Sequence, residues 1–152
     1  ESNVHAIASA FTVLPQPAMD AAAPSGIPYI HGNTSSVNVD MFQSDPKKYR
    51  NIFQLDVAEV WYGTGFVRFL TNLKNSGKWT PKNNKIHIVQ GQTSYNLNIS
   101  RATQEEVART NGEWVISEVT DIQFPVQDWT PVIQSLKEND SGALMIDHWV
   151  AA

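Results

Sequence analysis

The chain has 152 residues, of which 41% are hydrophobic and 17% charged, the proportions of a folded globular protein rather than a disordered one. Its formal net charge of −4, with no local cluster of Lys or Arg, offers no basic field, so no nucleic-acid partner is expected. No apolar run approaches the roughly 18–20 residues that cross a bilayer, the first residues do not read as a leader, and the lack of cysteine removes disulfides, thiolate metal ligands and cysteine nucleophiles.

In chain order, residues 4–11 form a small apolar run of strand length. Pro15 and Pro17 suit a helix start, where a missing N–H costs nothing, and residues 16–23 carry Ala and Met at helical spacing. Pro24, Ser25 and Gly26 stop that helix, and residues 27–31 read as a second short strand. Residues 32–36 (Gly32, Asn33, Thr34, Ser35, Ser36) are small and polar, offering hydroxyls and backbone N–H groups. Residues 37–50 show no sustained periodicity and contain the turn signal Asp45-Pro46, so a surface loop is predicted there. Residues 51–55 are extended. From 60 to 73, Trp61, Phe66, Phe69, Leu70 and Leu73 fit an amphipathic helix. Gly63 and Gly65 weaken its first turns by about 1 kcal/mol each relative to alanine, which suggests close packing against a neighbour or ligand.

Residues 85–149 then alternate strand and helix. The predicted strands are 85–91, 114–122 and 143–149. Thr103 and Glu106 have the spacing of a capping box opening a helix over 103–110, and Asp128 is the predicted cap of a helix over 129–139 with Val132, Ile133 and Leu136 inward. Strands joined by helices predict two successive βαβ units with parallel strands and right-handed crossovers, because parallel neighbours cannot be joined by a tight hairpin. Ligands of such sheets meet the loops at the strands' carboxyl ends, here 90–95, 121–127 and 147–149.

Catalysis is not expected. The histidines His5, His31, His87 and His148 are scattered without metal-ligand spacing, and the chain has no nucleophile elbow, phosphate loop or dinucleotide fingerprint. Gly63-Thr64-Gly65-Phe66 lacks a third glycine and sits in a helical pattern. No cofactor and no metal are expected.

The order of these pieces resembles the middle of a type I periplasmic solute-binding protein, the branched-chain amino acid and amide receptors of ABC importers. The resemblance rests on 6–22, 26–35, 51–73, 86–95 and 121–149, the last with Phe124-Pro125, Asp128-Trp129, Ile133 and Leu136-Lys137. It lies in order and spacing, since no single motif is diagnostic. It implies an α/β fold of flavodoxin-like lobes, incomplete here, with residues 1–56 as part of a first lobe with a hinge crossing and 57–152 as part of a second. The chain then reads as an internal fragment, and unpaired sheet edges predict self-association in solution.

The resemblance further implies a small-molecule solute held between lobes, an ABC permease as partner of the full-length protein, and a periplasmic or extracellular location. Positions matching the family's donors for a solute carboxylate are 11–14, with Thr12, and Asn33, Thr34 and Ser35. The bland reading of those residues is turn formation and helix capping. A residue facing the solute ammonium is expected near Glu59. Trp61 either stacks on a planar solute or packs into the core, and Tyr95 and Trp149 match aromatic walls of the second lobe or are ordinary core residues. Asp147 and His148 form an adjacent polar pair at a strand end. The competing readings are a ligand-sensing domain of the same fold in a signalling receptor and a flavodoxin-like enzyme using Asp147 as an acid.

Overall fold

The computed structural model describes residues 4–12, 14–123 and 125–147. The chain divides into two compact units, Glu1–Glu59 and Val60–Ala152.

In the first unit the order is β1 (Ile7–Ser9), α1 (Pro15–Ala22), a 3-10 turn (Ala23–Ser25), β2 (Tyr29–His31), α2 (Ser36–Ser44) and β3 (Ile52–Gln54). The strands pair in parallel in the order β1-β2-β3, with Ile7 opposite Tyr29 and Tyr29 opposite Ile52. Pro15 opens α1 where its absent N–H leaves nothing unpaired, and Gly26 takes the left-handed conformation that ends the 3-10 turn. Met19, Ala22 and Ala23 pack on Tyr29, Tyr49 and Ile52 to form the core of this unit.

The loop expected over 37–50 is a correction, because residues 36–44 are helical. Its fully buried position is Asn38, with Met41 partly buried, so a polar residue occupies the inward row and the apolar 3.6-residue signal is lost. A crossover is nevertheless needed there, since β2 and β3 run parallel.

The second unit runs α3 (Val60–Asn75), β4 (Lys85–Gly91), α4 (Ser94–Arg109), β5 (Val115–Ile122), α5 (Thr130–Asn139) and β6 (Ala143–Asp147). β4 is central in the parallel order β5-β4-β6. Side chains alternate along β4. Ile86 and Ile88 pack with Val67 and Leu70 of α3, Ile99 and Val107 of α4, and Trp114 and Met145. Val89 packs with Ile122 and Val132, joined by Trp129 and Leu136, on the α5 side. Burial on both faces explains the near-continuous apolar run of β4. The register shifts between Ile86 and His87, and Ser117, the extra residue on β5, donates its hydroxyl to the Ile86 carbonyl at 3.1 Å.

Three local expectations are corrected in this unit. α4 begins at Ser94, so Thr103 and Glu106 lie in its interior rather than in a capping box. Thr93 is the cap, its hydroxyl accepting from the Asn96 N–H at 3.2 Å, while the Thr103 hydroxyl donates back to the Ile99 carbonyl at 2.9 Å. Asp128 accepts from the Thr130 N–H at 2.8 Å, but the cap position itself is Trp129. Ile133 is 48% exposed, whereas Val132 is buried and Leu136 packs on the core.

Gly63 is the point of closest approach between α3 and α4. A Cβ built there would overlap the Ile99 carbonyl oxygen and lie 2.7 Å from the Thr103 nitrogen and hydroxyl. This is the close packing that the glycine suggested. Gly65, two residues on, faces open space.

Candidate functional site

In the first unit, the parallel register brings the loops leaving β1 and β2 side by side. The Gly32 N–H donates to the Ser9 carbonyl at 3.1 Å, and a Cβ on Gly32 would lie 2.7 Å from the Ala10 carbonyl oxygen, so only glycine lets these loops approach without a shift. One residue further, the Thr12 N–H donates to Asn33 Oδ1 at 2.8 Å. Thr12 Oγ1 lies 3.0 Å from Ser9 Oγ, which lies 3.2 Å from the Tyr29 hydroxyl. The result is a compact group of hydroxyls at the carboxyl ends of β1 and β2.

Thr12 and Asn33 are thus brought together. The Asn33 side chain is buried and serves the Thr12 backbone, so it clips the two loops. Thr34 and Ser35 are half-buried, and Ser35 sits at the N-cap of α2 without using its side chain as a cap. That work falls to Glu59, 2% exposed, whose carboxylate accepts from both the backbone N–H and the hydroxyl of Ser36, the latter at 2.7 Å. His31 on β2 is buried, its ring centroid 5.4 Å from that of Tyr29, and burial holds its imidazole below the ordinary histidine range.

In the second unit, the carboxyl ends of β4 and β6 meet the start of α4. Asn96, fully buried, donates from Nδ2 to Asp147 Oδ1 at 2.9 Å, while its Oδ1 accepts from the Thr93 hydroxyl. Asp147 is therefore joined to α4. Its sequence neighbour His148, together with Trp149, Val13 and Phe124, falls outside the described residues. Tyr95 is partly buried against the apolar core in the first turn of α4.

Trp61 does not pack into that core. It is 56% exposed and lines an open groove of about 350 Å³ between α3 and α4, beside Val60, Thr64, Arg68, Arg101 and Arg109. Glu106 orients two of these arginines, accepting from Arg68 Nε at 2.7 Å and Arg109 Nη1 at 3.0 Å. The Arg68 bond, aided by Arg109 and opposed by burial, holds the Glu106 carboxyl below the usual range.

Sequence reasoning missed Ser9, Tyr29 and Asn96, and named Ser36 only as part of the polar stretch 32–36. Ser9 and Tyr29 stood within the predicted strands; strand alternation points Tyr29 at the same face as His31, whereas only the β1–β2 register, Ser9 opposite His31, adds Ser9 to it. Asn96 carried no signal separate from ordinary helix residues. Among the described residues, no group of three His, Asp or Glu side chains is placed to hold a metal ion, and no helix is long and apolar enough to cross a membrane.

Helices with parallel three-stranded sheets, and polar loops at the strands' carboxyl ends, define part of the type I periplasmic-binding-protein fold. Comparison with solved structures gives the relationship. The chain is similar to a branched-chain amino acid ABC transporter protein from Silicibacter pomeroyi, at 30% identity and a TM-score of 0.88, over 96% of this chain and 36% of that one. It shares the fold of a solute-binding protein from Rhodopseudomonas palustris BisB5 in complex with 3,4-dihydroxybenzoic acid, at 14% identity and TM-score 0.63, over 94% of this chain and 35% of that one. It also shares the fold of a branched-chain amino acid ABC transporter protein from Thermus thermophilus with bound valine, at 11% identity and TM-score 0.64, over 95% and 34%. No family model and no curated sequence matches the chain. The chain shares the fold of these ABC transporter proteins and spans little more than a third of their length.

Proposed function

We propose that this chain serves as the extracytoplasmic solute-binding component of an ABC importer, handing a small polar solute to a permease. The observation that supports this reading best is the group of Ser9, Thr12 and Tyr29 hydroxyls at the carboxyl ends of β1 and β2, on loops held together by the Thr12–Asn33 and Ser9–Gly32 bonds. Such preorganised donors suit a carboxylate or amide, because a buried anion must remain hydrogen-bonded. In this reading, Thr12, Thr34 and Ser35 and the N–H groups around residues 33–35 bind the polar end of the solute, with Asn33 shaping their loop. Trp61 and Tyr95 would offer aromatic surface, and by the family resemblance Trp149 would too.

The units would act as two lobes, residues 1–56 with the crossing in the first and 57–152 in the second. The solute class follows from the same chemistry. An amino acid, an amide or an aromatic acid each presents a carboxylate or carbonyl to the first-unit loops, and proteins of this fold hold valine in one case and 3,4-dihydroxybenzoate in another.

A thermal-shift screen tests the proposal on this chain and on any longer product its gene encodes, against amino acids, amides and aromatic acids. A solute at 100 times its Kd adds about 2.7 kcal/mol of stability. A rise in Tm with one class, lost in Thr12→Val, is the expected result. No rise with any class in a folded protein would refute it.

A further inference from the structure

We propose that Glu59 is a positioning residue, whose buried carboxylate ties the junction between the two units to the first turn of α2 and thereby sets the solute loop at residues 33–35. The inference rests on the reading of that loop as part of a solute site. It replaces the expectation that Glu59 faces a solute ammonium.

Ser36 is the first residue of α2, and its N–H is one of the donors that a helix start leaves without an intrahelical partner. Ser35, in the cap position, makes no side-chain bond to supply it. Glu59 does so from 23 residues away in sequence, and its second oxygen takes the Ser36 hydroxyl at 2.7 Å. A carboxylate at a helix N-terminus is also favoured by the positive end of the helix dipole. Both oxygens are thereby engaged, and the group is 2% exposed, so it is not presented as a counter-charge for a solute.

The other end of this tether lies in the backbone. Glu59 closes the first unit, and Val60 begins α3 in the second. The chain leaves β3 through the Leu55 N–H, which donates to the His31 carbonyl at 2.9 Å, and then passes Asp56 and Val57, both exposed. The Glu59 side chain returns it to the fold. Backbone freedom at the junction and the conformation of the loop before α2 are therefore linked through one carboxylate, and whatever orders one end favours order at the other. Asp56, the other acid of this segment, is exposed and bonds to the neighbouring Val57 N–H at 2.8 Å. It serves as the internal control.

Hydrogen exchange on this chain without solute tests the tether, using Glu59→Ala, Glu59→Gln, Ser36→Ala and Asp56→Asn. Leaving a buried donor unpaired raises exchange by about tenfold or more. In Glu59→Ala, faster exchange is expected both at 36–39 and at Leu55 and the first protected amides of α3, with Ser36→Ala smaller in the same places and Asp56→Asn unchanged. Faster exchange confined to 36–39 would reduce Glu59 to a local cap, and no change would remove the tether. Either result overturns the proposal.

A second readout uses solutes found in the screen. A positioning role predicts that Glu59→Gln and Ser36→Ala weaken solutes with and without an ammonium by similar factors, whereas a loss restricted to ammonium-bearing solutes in Glu59→Gln overturns it. The exchange experiment needs no solute, so a failed solute reading and a failed tether give different results.

Discussion

Gly63 and Gly65 lie on the same helix, two residues apart, and alanine should affect them in opposite directions. At Gly63 a methyl group would overlap the Ile99 carbonyl oxygen and stand 2.7 Å from two Thr103 atoms. Ordinary contact begins at 3.4 Å, so α3 and α4 must part by 0.7 Å to clear Thr103 and by more to clear the Ile99 oxygen. Two of the three atoms are backbone and cannot rotate away. Parting the helices would also loosen Val67 and Leu70 against Ile99. Overpacking of this kind costs about 3 kcal/mol, and alanine returns about 1 kcal/mol in helix propensity, leaving Gly63→Ala destabilised by roughly 2 kcal/mol. At Gly65 nothing lies within 4 Å, and Gly65→Ala should gain roughly 0.5–1 kcal/mol. Thermal unfolding followed by circular dichroism would read these as a Tm about 4–8 °C lower and about 1–4 °C higher, respectively. A Gly63→Ala protein as stable as the parent would refute the close approach of α3 and α4.

The tryptophans make a second contrast. Trp114 is 1% exposed, stacks on Trp79 with ring centroids 6.0 Å apart and donates to Thr71 Oγ1 at 2.9 Å, so Trp114→Ala should cost about 3–5 kcal/mol in urea titrations. Trp61→Ala should stay within about 0.5 kcal/mol of the parent while weakening any aromatic solute. His87 is fully buried, with Nε2 2.7 Å from Thr120 Oγ1, and burial lowers its pKa against the opposing pull of Glu118. The unfolded chain therefore binds the proton more readily, and the stability from neutral His87, complete above the unfolded value near 6.5, should decline as pH falls below it. His87→Gln should flatten the slope of Tm between pH 7.5 and 5. Glu106 has the same sign in a lower window, because its lowered pKa gives stability above about pH 4.5 that is lost as pH falls through the folded value. Glu106→Gln should lower Tm at pH 7, with the gap to the parent closing in acid.

The periodicity of residues 85–147 carried the parallel sheet into view because β4 is covered on both faces, and a strand so buried must be apolar along its length. α3 was legible as a helix but not in its inward face, since of the predicted stripe Leu70 is buried and Phe66 packs on the core, whereas Trp61 and Phe69 are exposed and Val67 is buried in their place. α2 was not legible, because its fully buried position is Asn38. The start of α4 was hidden by a false capping box, since Thr103 and Glu106 satisfy a local pattern while serving the helix interior, one bonded to Ile99 and the other to Arg68 and Arg109. Ile133 lay on a plausible inward row, yet α5 turns Val132 and Leu136 inward instead.

At the candidate site, residue type singled out polar loops but not the partners of their side chains. Thr12, Asn33, Thr34 and Ser35 were recognisable as donors and turn formers, as local chemistry can show. That Asn33 serves the Thr12 backbone, that Glu59 serves Ser36, and that Trp61 faces solvent depend on which segments the sheets bring together. Sequence alone determined the alternation of strands and helices, because hydrophobic burial imposes a period on neighbours along the chain. Only the tertiary structure decided the pairs 21 and 23 residues apart, because a hydrogen bond requires two groups within about 3 Å, and the folded backbone sets that distance.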